Sequence, residues 1–198
     1  GNINLGIILL FAPLTISAGY SIKDNKVDIN EIKNNLEKIL EATTPIDVSY
    51  LYKSINLCMS DKTLGKVERY DLRNASSIEQ IKEKNLSVLD IFQQCADKDN
   101  ICYEWISNFQ ISFTQAYPYL SKALLNASIN DSILNTYLYL LSEYPDSLIQ
   151  RKKGKDKALK ISEKASKILE RGGAFSKKGR EMIIVFDRKL HESDGGLN

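Results

Sequence analysis

Histidine, cysteine and proline are scarce in this sequence of 198 residues, and each shortage excludes a class of protein or site. The single histidine, His191, rules out every site that needs two imidazoles, including the HExxH zinc proteases. The three cysteines contain no C-x-x-C pair, so we expect neither a disulfide framework nor a structural zinc site. Only four prolines stand beside 43% hydrophobic residues, which excludes a disordered or loop-rich chain and indicates a globular protein.

The longest apolar run, residues 7–14, lies near the N-terminus and is too short to cross a bilayer. No lysine or arginine precedes it, so a buried helix is favoured over an export signal. We expect residues 1–18 to form a largely buried helix at the centre of a bundle, bent or interrupted at Pro13. Together with the sparse cysteines, this predicts a cytoplasmic protein with no membrane partner.

Apolar spacings of three and four residues recur along most of the chain, and no window alternates over several strands. Residues 28–31 have the form of a helix capping box, and one helical face then carries the apolar stripe Ile29, Ile32, Leu36, Ile39 and Leu40. Gly172 stands where a left-handed helix cap is expected. These patterns predict an all-α fold, a multi-helix bundle that forms a single domain over residues 1–198.

Positive charge is concentrated in residues 151–180, which hold twelve Lys or Arg and three acidic residues in a chain of net charge +2. Such an excess suits an anionic partner. A solvated helix face explains the helically spaced lysines of this segment, but it explains Arg151, Lys152 and Lys153 less well because we expect them in a loop. No zinc-finger spacing or phosphate-binding glycine motif occurs, and a phosphorylated small molecule fits better than nucleic acid.

Several separated stretches share the order and spacing of one known family. They are residues 2–6 (NINLG), 44–47 (TPID), 64–72 (LGKVERYDL), 145–154 (PDSLIQRKKG), 169–173 (LERGG), 179–181 (GRE) and 186–187 (FD). Together they resemble the triphosphoribosyl-dephospho-coenzyme A synthases, in an archaeal-type branch, over almost the whole chain. The family usually has Thr where Ile3 stands and often His where Asn4 stands. It also has short flanking segments that this sequence lacks, so we expect the full protein to be longer.

The resemblance implies an all-helical transferase that uses ATP and 3′-dephospho-coenzyme A with magnesium. It would release adenine and leave a triphosphoribosyl group on the acceptor ribose, making a prosthetic-group precursor. The resemblance implies no nucleic-acid partner and leaves a homodimer open. Two alternatives remain: a related ATP-using enzyme with a different acceptor, and a non-catalytic helical protein that binds anions through residues 151–180.

Carboxylates are the residues that this chemistry needs first, because positive charge develops at the anomeric carbon and the attacking hydroxyl must lose a proton. Asp71 and Asp146 lie in the shared stretches beside predicted breaks, and they are the candidates for both catalysis and magnesium binding. Helix capping or turn formation is the structural alternative for each. Arg180 and Asp187 lie seven residues apart on the last predicted helix and share a face, with a packing role as an equal alternative.

The retained triphosphate needs cations and backbone amides. Arg151 can hold phosphate oxygens with a planar fork, Lys152 supplies a point charge, and Gly154 permits close approach of the backbone. Asparagines at the start of the chain can assist with magnesium or cap the first helix. The substrate-binding candidates are therefore Asn2, Asn4, Gly65, Arg151, Lys152 and Gly154. We expect the catalytic and phosphate-binding side chains to line one cleft.

Overall fold

Helices account for nearly all regular structure in the computed structural model of this chain. The structure describes four stretches: residues 4–24, 26–58, 69–74 and 76–192. Within them the β structure is one antiparallel pair of two-residue strands, in which Ile22 pairs with Val27. The all-α class predicted from the periodicity is confirmed.

The chain divides into two compact units, Gly1–Phe109 (unit 1) and Gln110–Asn198 (unit 2). Each is described by itself, and the single domain predicted from the sequence stays a prediction. The elements of unit 1 are α1 (Asn4–Ser21), β1 (Ile22–Lys23), β2 (Lys26–Val27), α2 (Ile29–Glu41), α3 (Pro45–Cys58), α4 (Ser77–Glu83), α5 (Val88–Phe92) and α6 (Asn100–Ile106).

Helix α2 forms as its sequence predicts. The side chain of Asp28 caps it by accepting a hydrogen bond from the backbone N–H of Asn30 at 2.7 Å. Of the predicted apolar stripe, Ile32, Leu36 and Leu40 are buried in the part of unit 1 where α1 lies against α2, and Ile29 and Ile39 are partly buried. In a capping box, the fourth residue would also accept a hydrogen bond from the backbone N–H of the cap residue. Here the fourth residue, Glu31, instead forms an ion pair with Lys23 at 2.8 Å.

The largely buried N-terminal helix predicted above is not found. Helix α1 is apolar on all sides, yet its buried residues are Pro13, Ser17 and Ser21, and side chains such as Phe11 are exposed. The prediction was wrong because an apolar sequence does not say how many neighbours will cover it, and α2 and α6 contact only part of α1. By length and composition alone α1 could cross a membrane, a test that core helices and signal sequences also pass.

Helix α1 continues through Pro13 without interruption. Proline has no N–H to donate to the carbonyl four residues earlier, which is that of Leu9. The indole Nε1–H of Trp105, in α6, donates to this carbonyl at 3.0 Å. A tertiary hydrogen bond therefore replaces the missing helical one and ties α1 to α6.

A disulfide joins Cys95 and Cys102 in unit 1, which the cysteine pattern did not predict. Their Cα atoms lie 6.1 Å apart because the chain turns before α6 begins. Asp99 caps α6 by accepting backbone N–H bonds from Ile101 and Cys102, at 2.9 and 3.2 Å, and so fixes the second cysteine. The pairing is a local one that rules about frameworks and C-x-x-C motifs do not detect. In a reducing cytoplasm the pair would be held as thiols.

Unit 2 is built around one apolar core between three helices. Its elements are a π-helical turn (Ser112–Ala116), α7 (Tyr117–Leu124), α8 (Ile129–Glu143), α9 (Ser147–Lys153), α10 (Lys155–Glu170), a 3₁₀ turn (Gly173–Phe175) and α11 (Lys177–Glu192). The core side chains come mainly from α8, α10 and α11: Leu138, Leu141, Ile149, Ala158, Ile161, Ala165, Ile168 and Phe186.

The chain is packed too tightly for side chains at Gly173, in the turn between α10 and α11, and at Gly179, in the first turn of α11. Gly172 has φ +91°, the left-handed cap predicted from the sequence. A Cβ on Gly173, where φ is +52°, would lie 2.1 Å from Oδ1 of Asn135. A Cβ on Gly179 would lie 2.0 Å from the carbonyl oxygen of Gly173. These glycines of the shared stretches therefore have a structural function, which is to let α11 return close to the turn.

We predict that Gly179→Ala lowers the free energy of unfolding by about 1–3 kcal/mol, the usual cost of forcing extra volume into a packed site. The clash is with backbone, which cannot rotate away. Chemical denaturation measures the loss. Gly19→Ala in α1 is the matched control, because no atom lies within 4 Å of its added Cβ, and it should not destabilise the protein. Equal stability of both variants would contradict this account of the turn.

Candidate functional site

Asp71, one of the two candidate carboxylates, lies in unit 1 and is held by Arg73. The Arg73 Nε–H donates to Oδ1 at 2.7 Å, and Nη2 contacts Oδ2 to complete a bidentate ion pair. The backbone N–H of Arg73 also donates to Oδ1, at 2.9 Å. Since both carboxylate oxygens are engaged, the geometry favours the structural alternative, a fixed turn, for Asp71.

The segment that carries Asp71 is tied to α3 and α4. The hydroxyl of Ser77 donates to the backbone carbonyl of Asp71 at 2.7 Å, and the hydroxyl of Tyr52 donates to the carbonyl of Tyr70. Burial raises the pKa of Tyr52 to about 12, and the nearby carboxylate of Asp71 adds to the rise. Tyr52 therefore keeps its proton and its hydrogen bond over the whole neutral range.

Of the three remaining residues that the sequence predicts for substrate binding, the structure describes one. Asn4 is the first residue of α1 and is exposed. Asn2 and Gly65 lie outside the described residues, so their roles stay predictions.

Asp146, the second candidate carboxylate, lies in unit 2 at the start of α9. Its Oδ1 accepts a hydrogen bond from the backbone N–H of Ile149 at 2.9 Å, so the capping alternative is observed. Capping uses one carboxylate oxygen and leaves the charge of the group unchanged. Capping and a catalytic role are therefore compatible for Asp146, in contrast to Asp71.

Arg151, Lys152 and Lys153 form the last turn of α9, not the loop predicted above. Cations are favourable at this end of a helix because the helix dipole is negative there. Gly154 follows with φ +89°, a conformation that side chains rarely adopt, and it links α9 directly to α10. Arg151, Lys152 and Gly154 are all exposed, as a contact with a soluble substrate requires.

Asp187 of α11 is a further acidic residue of unit 2, and its Oδ1 lies 3.4 Å from Nδ1 of His191 on the same helix. Tyr137 of α8 is 52% exposed, and its pKa is raised first by partial burial and then by the charges of Asp146 and Asp187. The Tyr137 phenol therefore stays protonated and can donate a hydrogen bond. Sequence reasoning missed Tyr137, which no motif contains. The sequence features that could have pointed to this region are the pair Phe186-Asp187 in the shared stretches and the tyrosine in α8.

Arg180 shares the predicted helix face with Asp187, and it pairs with Asp131 of α8. Its Nη2 lies 2.8 Å from Oδ2 of Asp131. The hydroxyl of Ser128 and this guanidinium both donate to the carboxylate, and they hold the pKa of Asp131 below its usual value. Arg180 thus takes part in an exposed ion pair between two helices, which is a helix-surface role.

No group of three or more His, Cys, Asp or Glu in the described stretches could hold a metal by itself. Magnesium usually keeps several waters and uses only one or two protein carboxylates beside phosphate oxygens. Asp146 uses one carboxylate oxygen in its helix cap, whereas Arg73 engages both oxygens of Asp71. Of the two carboxylates predicted to bind magnesium, Asp146 is therefore the better suited.

Two comparisons with known proteins gave a match. Residues 1–198 match the family model described as ATP:dephospho-CoA triphosphoribosyl transferase. The fold is similar to a crystal structure from Archaeoglobus fulgidus described as a triphosphoribosyl-dephospho-CoA synthase, with a TM-score of 0.70 and 23% sequence identity. The similarity covers 93% of this chain and 71% of that one, and at this identity it shows the fold. The comparison with curated proteins gave no match.

The raised pKa of Tyr52 predicts how the stability of the protein changes at alkaline pH. The folded pKa of about 12 lies above the ordinary value of 10.0, so the folded state binds the phenolic proton more tightly. Its contribution to the free energy of unfolding is complete below pH 10 and is lost as the pH rises toward 12. Urea unfolding at increasing pH should therefore show a loss in the wild type, on the order of 2–3 kcal/mol, that Tyr52→Phe does not share.

Tyr50→Phe is the control for this experiment, because Tyr50 lies on the same helix and is exposed. It should keep the alkaline loss of the wild type. Parallel stability curves for wild type and Tyr52→Phe above pH 10 would show that Tyr52 is not protected in this way.

Proposed function

The chain belongs to the ATP:dephospho-CoA triphosphoribosyl transferase family, and we propose that Asp146, Asp187 and Arg151 of unit 2 carry its reaction. As a member of this family, it transfers the triphosphoribosyl group of ATP to dephospho-CoA. The family match over all 198 residues carries the function. The arrangement around Tyr137 supports the choice of residues.

The two carboxylates near Tyr137 suit the part of the reaction in which a ribose–adenine bond breaks. Positive charge develops at the anomeric carbon, and a negative group close to it stabilises that charge. One of the two carboxylates can accept the proton of the attacking ribose hydroxyl, while the protonated Tyr137 donates a hydrogen bond to a substrate oxygen.

Arg151 and Lys152 suit the other end of ATP, the triphosphate. The guanidinium of Arg151 can donate two parallel hydrogen bonds to phosphate oxygens, and Lys152 adds a point charge. The helix α9 has seven residues, and at 1.5 Å per residue its two ends lie about 10 Å apart. The ribose of ATP and the far end of its triphosphate are separated by a distance of this order, so residues of α9 can contact both.

Magnesium is the metal that we propose for this site, held by Asp146 and Asp187 together with phosphate oxygens. When bound, it would neutralise phosphate charge and leave Arg151 and Lys152 to orient the triphosphate. The place of Asp71 is then the fixed turn of unit 1, where its ion pair with Arg73 orders the segment. No observation favours a different acceptor or a non-catalytic anion-binding protein.

We also infer that the enzyme acts in the cytoplasm, without a membrane partner, and makes a prosthetic-group precursor. The family description names ATP and dephospho-CoA as the substrates, and both are water-soluble molecules. The homodimer stays a prediction; the exposed apolar side chains of α1, among them Phe11 at 62%, are of the kind that interfaces cover.

We predict that Asp146→Asn abolishes most of the activity and leaves the stability unchanged. Asparagine caps helices about as well as aspartate, so α9 should persist, whereas the negative charge is lost. Release of free adenine from ATP and dephospho-CoA should fall by about a hundredfold or more, the usual contribution of a general base. Thermal unfolding of the same sample checks the fold.

Asp28→Asn is the matched control, because Asp28 caps α2 in the same manner and lies outside the shared stretches. Both its activity and its stability should equal those of the wild type. If Asp146→Asn kept full activity, Asp146 would be a helix cap and nothing more. The family's reaction would then need another carboxylate of the chain.

We predict that Arg151→Lys weakens the use of ATP while it keeps the charge. The substitution removes the planar fork and with it about 1.5–3 kcal/mol of a charged hydrogen bond, or roughly ten- to a hundredfold in kcat/KM for ATP. Lys160→Gln, on the exposed side of α10, is the control for bulk charge. It should act only through a long-range field that salt screens. Equal losses in the two variants would remove Arg151 from the site.

A further inference from the structure

A groove lies between α10 and α11 on unit 2, and the transfer reaction described above does not use it. Its volume is about 400 Å³. The floor is apolar and consists of Ile168, Met182, Val185 and Phe186. Four lysines form its two edges, and together with the floor they define the lysine groove: Lys164, Lys167, Lys178 and Lys189.

The lysine groove is elongated. A second cavity of about 180 Å³ shares Lys164, Lys167, Phe186 and Lys189 with it and continues along the same two helices to Leu190. The groove thus follows the helix pair over several turns. Its cations are spread along both edges and do not converge on one point.

The charges of the lysine groove are not compensated within the protein. None of its four lysines forms an ion pair among the described residues. Glu181 is the one acidic residue in the lining of the larger cavity. Val185 on the floor is 49% exposed, so apolar surface is open to solvent beside these cations. Such a surface is complementary to a ligand with an apolar stripe and flanking negative charges.

The shape and the charge distribution favour one class of occupant. A small anion would need convergent, partly buried polar groups, and this groove offers exposed lysines over an apolar floor. Nucleic acid would need cations in register with phosphates and would gain little from the apolar floor. An apolar centre with a charged rim is the anatomy of a protein interface, and a groove between two helices suits a third helix.

We propose that the lysine groove docks an acidic amphipathic helix of a partner protein. Apolar side chains spaced three and four residues apart would enter between α10 and α11, and Asp or Glu side chains beside them would meet the four lysines. The proposal concerns a surface separate from Asp146 and Asp187. It therefore does not depend on which residues perform the transfer.

A labelled synthetic peptide tests this proposal with the full chain. The probe has leucines at helical spacings of three and four and glutamates on the flanks, and fluorescence anisotropy measures its binding. We expect K164E/K167E to weaken binding by about tenfold or more, because two rim attractions become repulsions. The charge-matched control K82E/K122E changes two exposed lysines outside the groove and should stay within about twofold of the wild type.

The uncharged variant Val185→Ser tests the floor separately. Val185 is half exposed, so the variant should fold, which thermal unfolding checks, and it should also weaken binding. A scrambled peptide of the same composition, in which the apolar stripe is broken, should bind much more weakly. Equal binding of the scrambled peptide, or equal losses in K164E/K167E and K82E/K122E, would overturn the proposal in favour of bulk attraction of anions.

Two further arms separate other occupants. Vesicles of phosphatidylcholine and phosphatidylserine should not compete for the groove; binding to vesicles in place of the peptide would overturn the proposal. ATP and dephospho-CoA should leave peptide binding unchanged at matched ionic strength. Complete displacement by either would make the groove a substrate subsite and would likewise overturn it.

Discussion

One buried side chain, that of Asn135, links the helices on which the site of unit 2 depends. Asn135 belongs to α8, is 3% exposed and accepts the backbone N–H of Ala174 through Oδ1 at 2.7 Å. Ala174 lies in the turn between α10 and α11. There is no room for a side chain at Gly173 in this turn or at Gly179 in the first turn of α11. The contact fixes where α11 starts relative to α8. An unpaired amide in this place would cost about 1–3 kcal/mol, so the turn and the asparagine specify each other.

The position of α11 decides what its two faces do. One face meets α8, where Arg180 pairs with Asp131. Another face meets α10 and forms the floor of the lysine groove. Both the proposed catalytic residue Asp187 and the proposed docking surface depend on how this one helix is held. The close packing at Gly173 and Gly179 fixes the start of the helix, which gives these glycines a structural reason.

The sequence predicted the helices, because apolar spacing and caps are local. The stripe of α2, the cap at Asp28 and the left-handed Gly172 were all readable. Features that depend on which helices pack against each other could not be predicted from the sequence. The effect of Asp146 and Asp187 on the pKa of one tyrosine needs three helices in place, and the exposure of α1 depends on how few neighbours cover it. The convergence of candidates from different parts of the chain is a question of the same kind, and it stays a prediction.

The two carboxylate candidates differ in a way that composition alone could not show. Both carboxylate oxygens of Asp71 accept hydrogen bonds from Arg73. Breaking this ion pair would leave the partly buried guanidinium of Arg73 without the carboxylate. Asp146 caps a short helix with one oxygen and shares that helix with Arg151. Arg151 follows Asp146 by five residues, so the groups proposed for the triphosphate and the ribose are separated by about 7.5 Å of rise along one hydrogen-bonded helix. Their distance is set by helix geometry and not by any movement of the chain, which is what positioning an extended substrate requires.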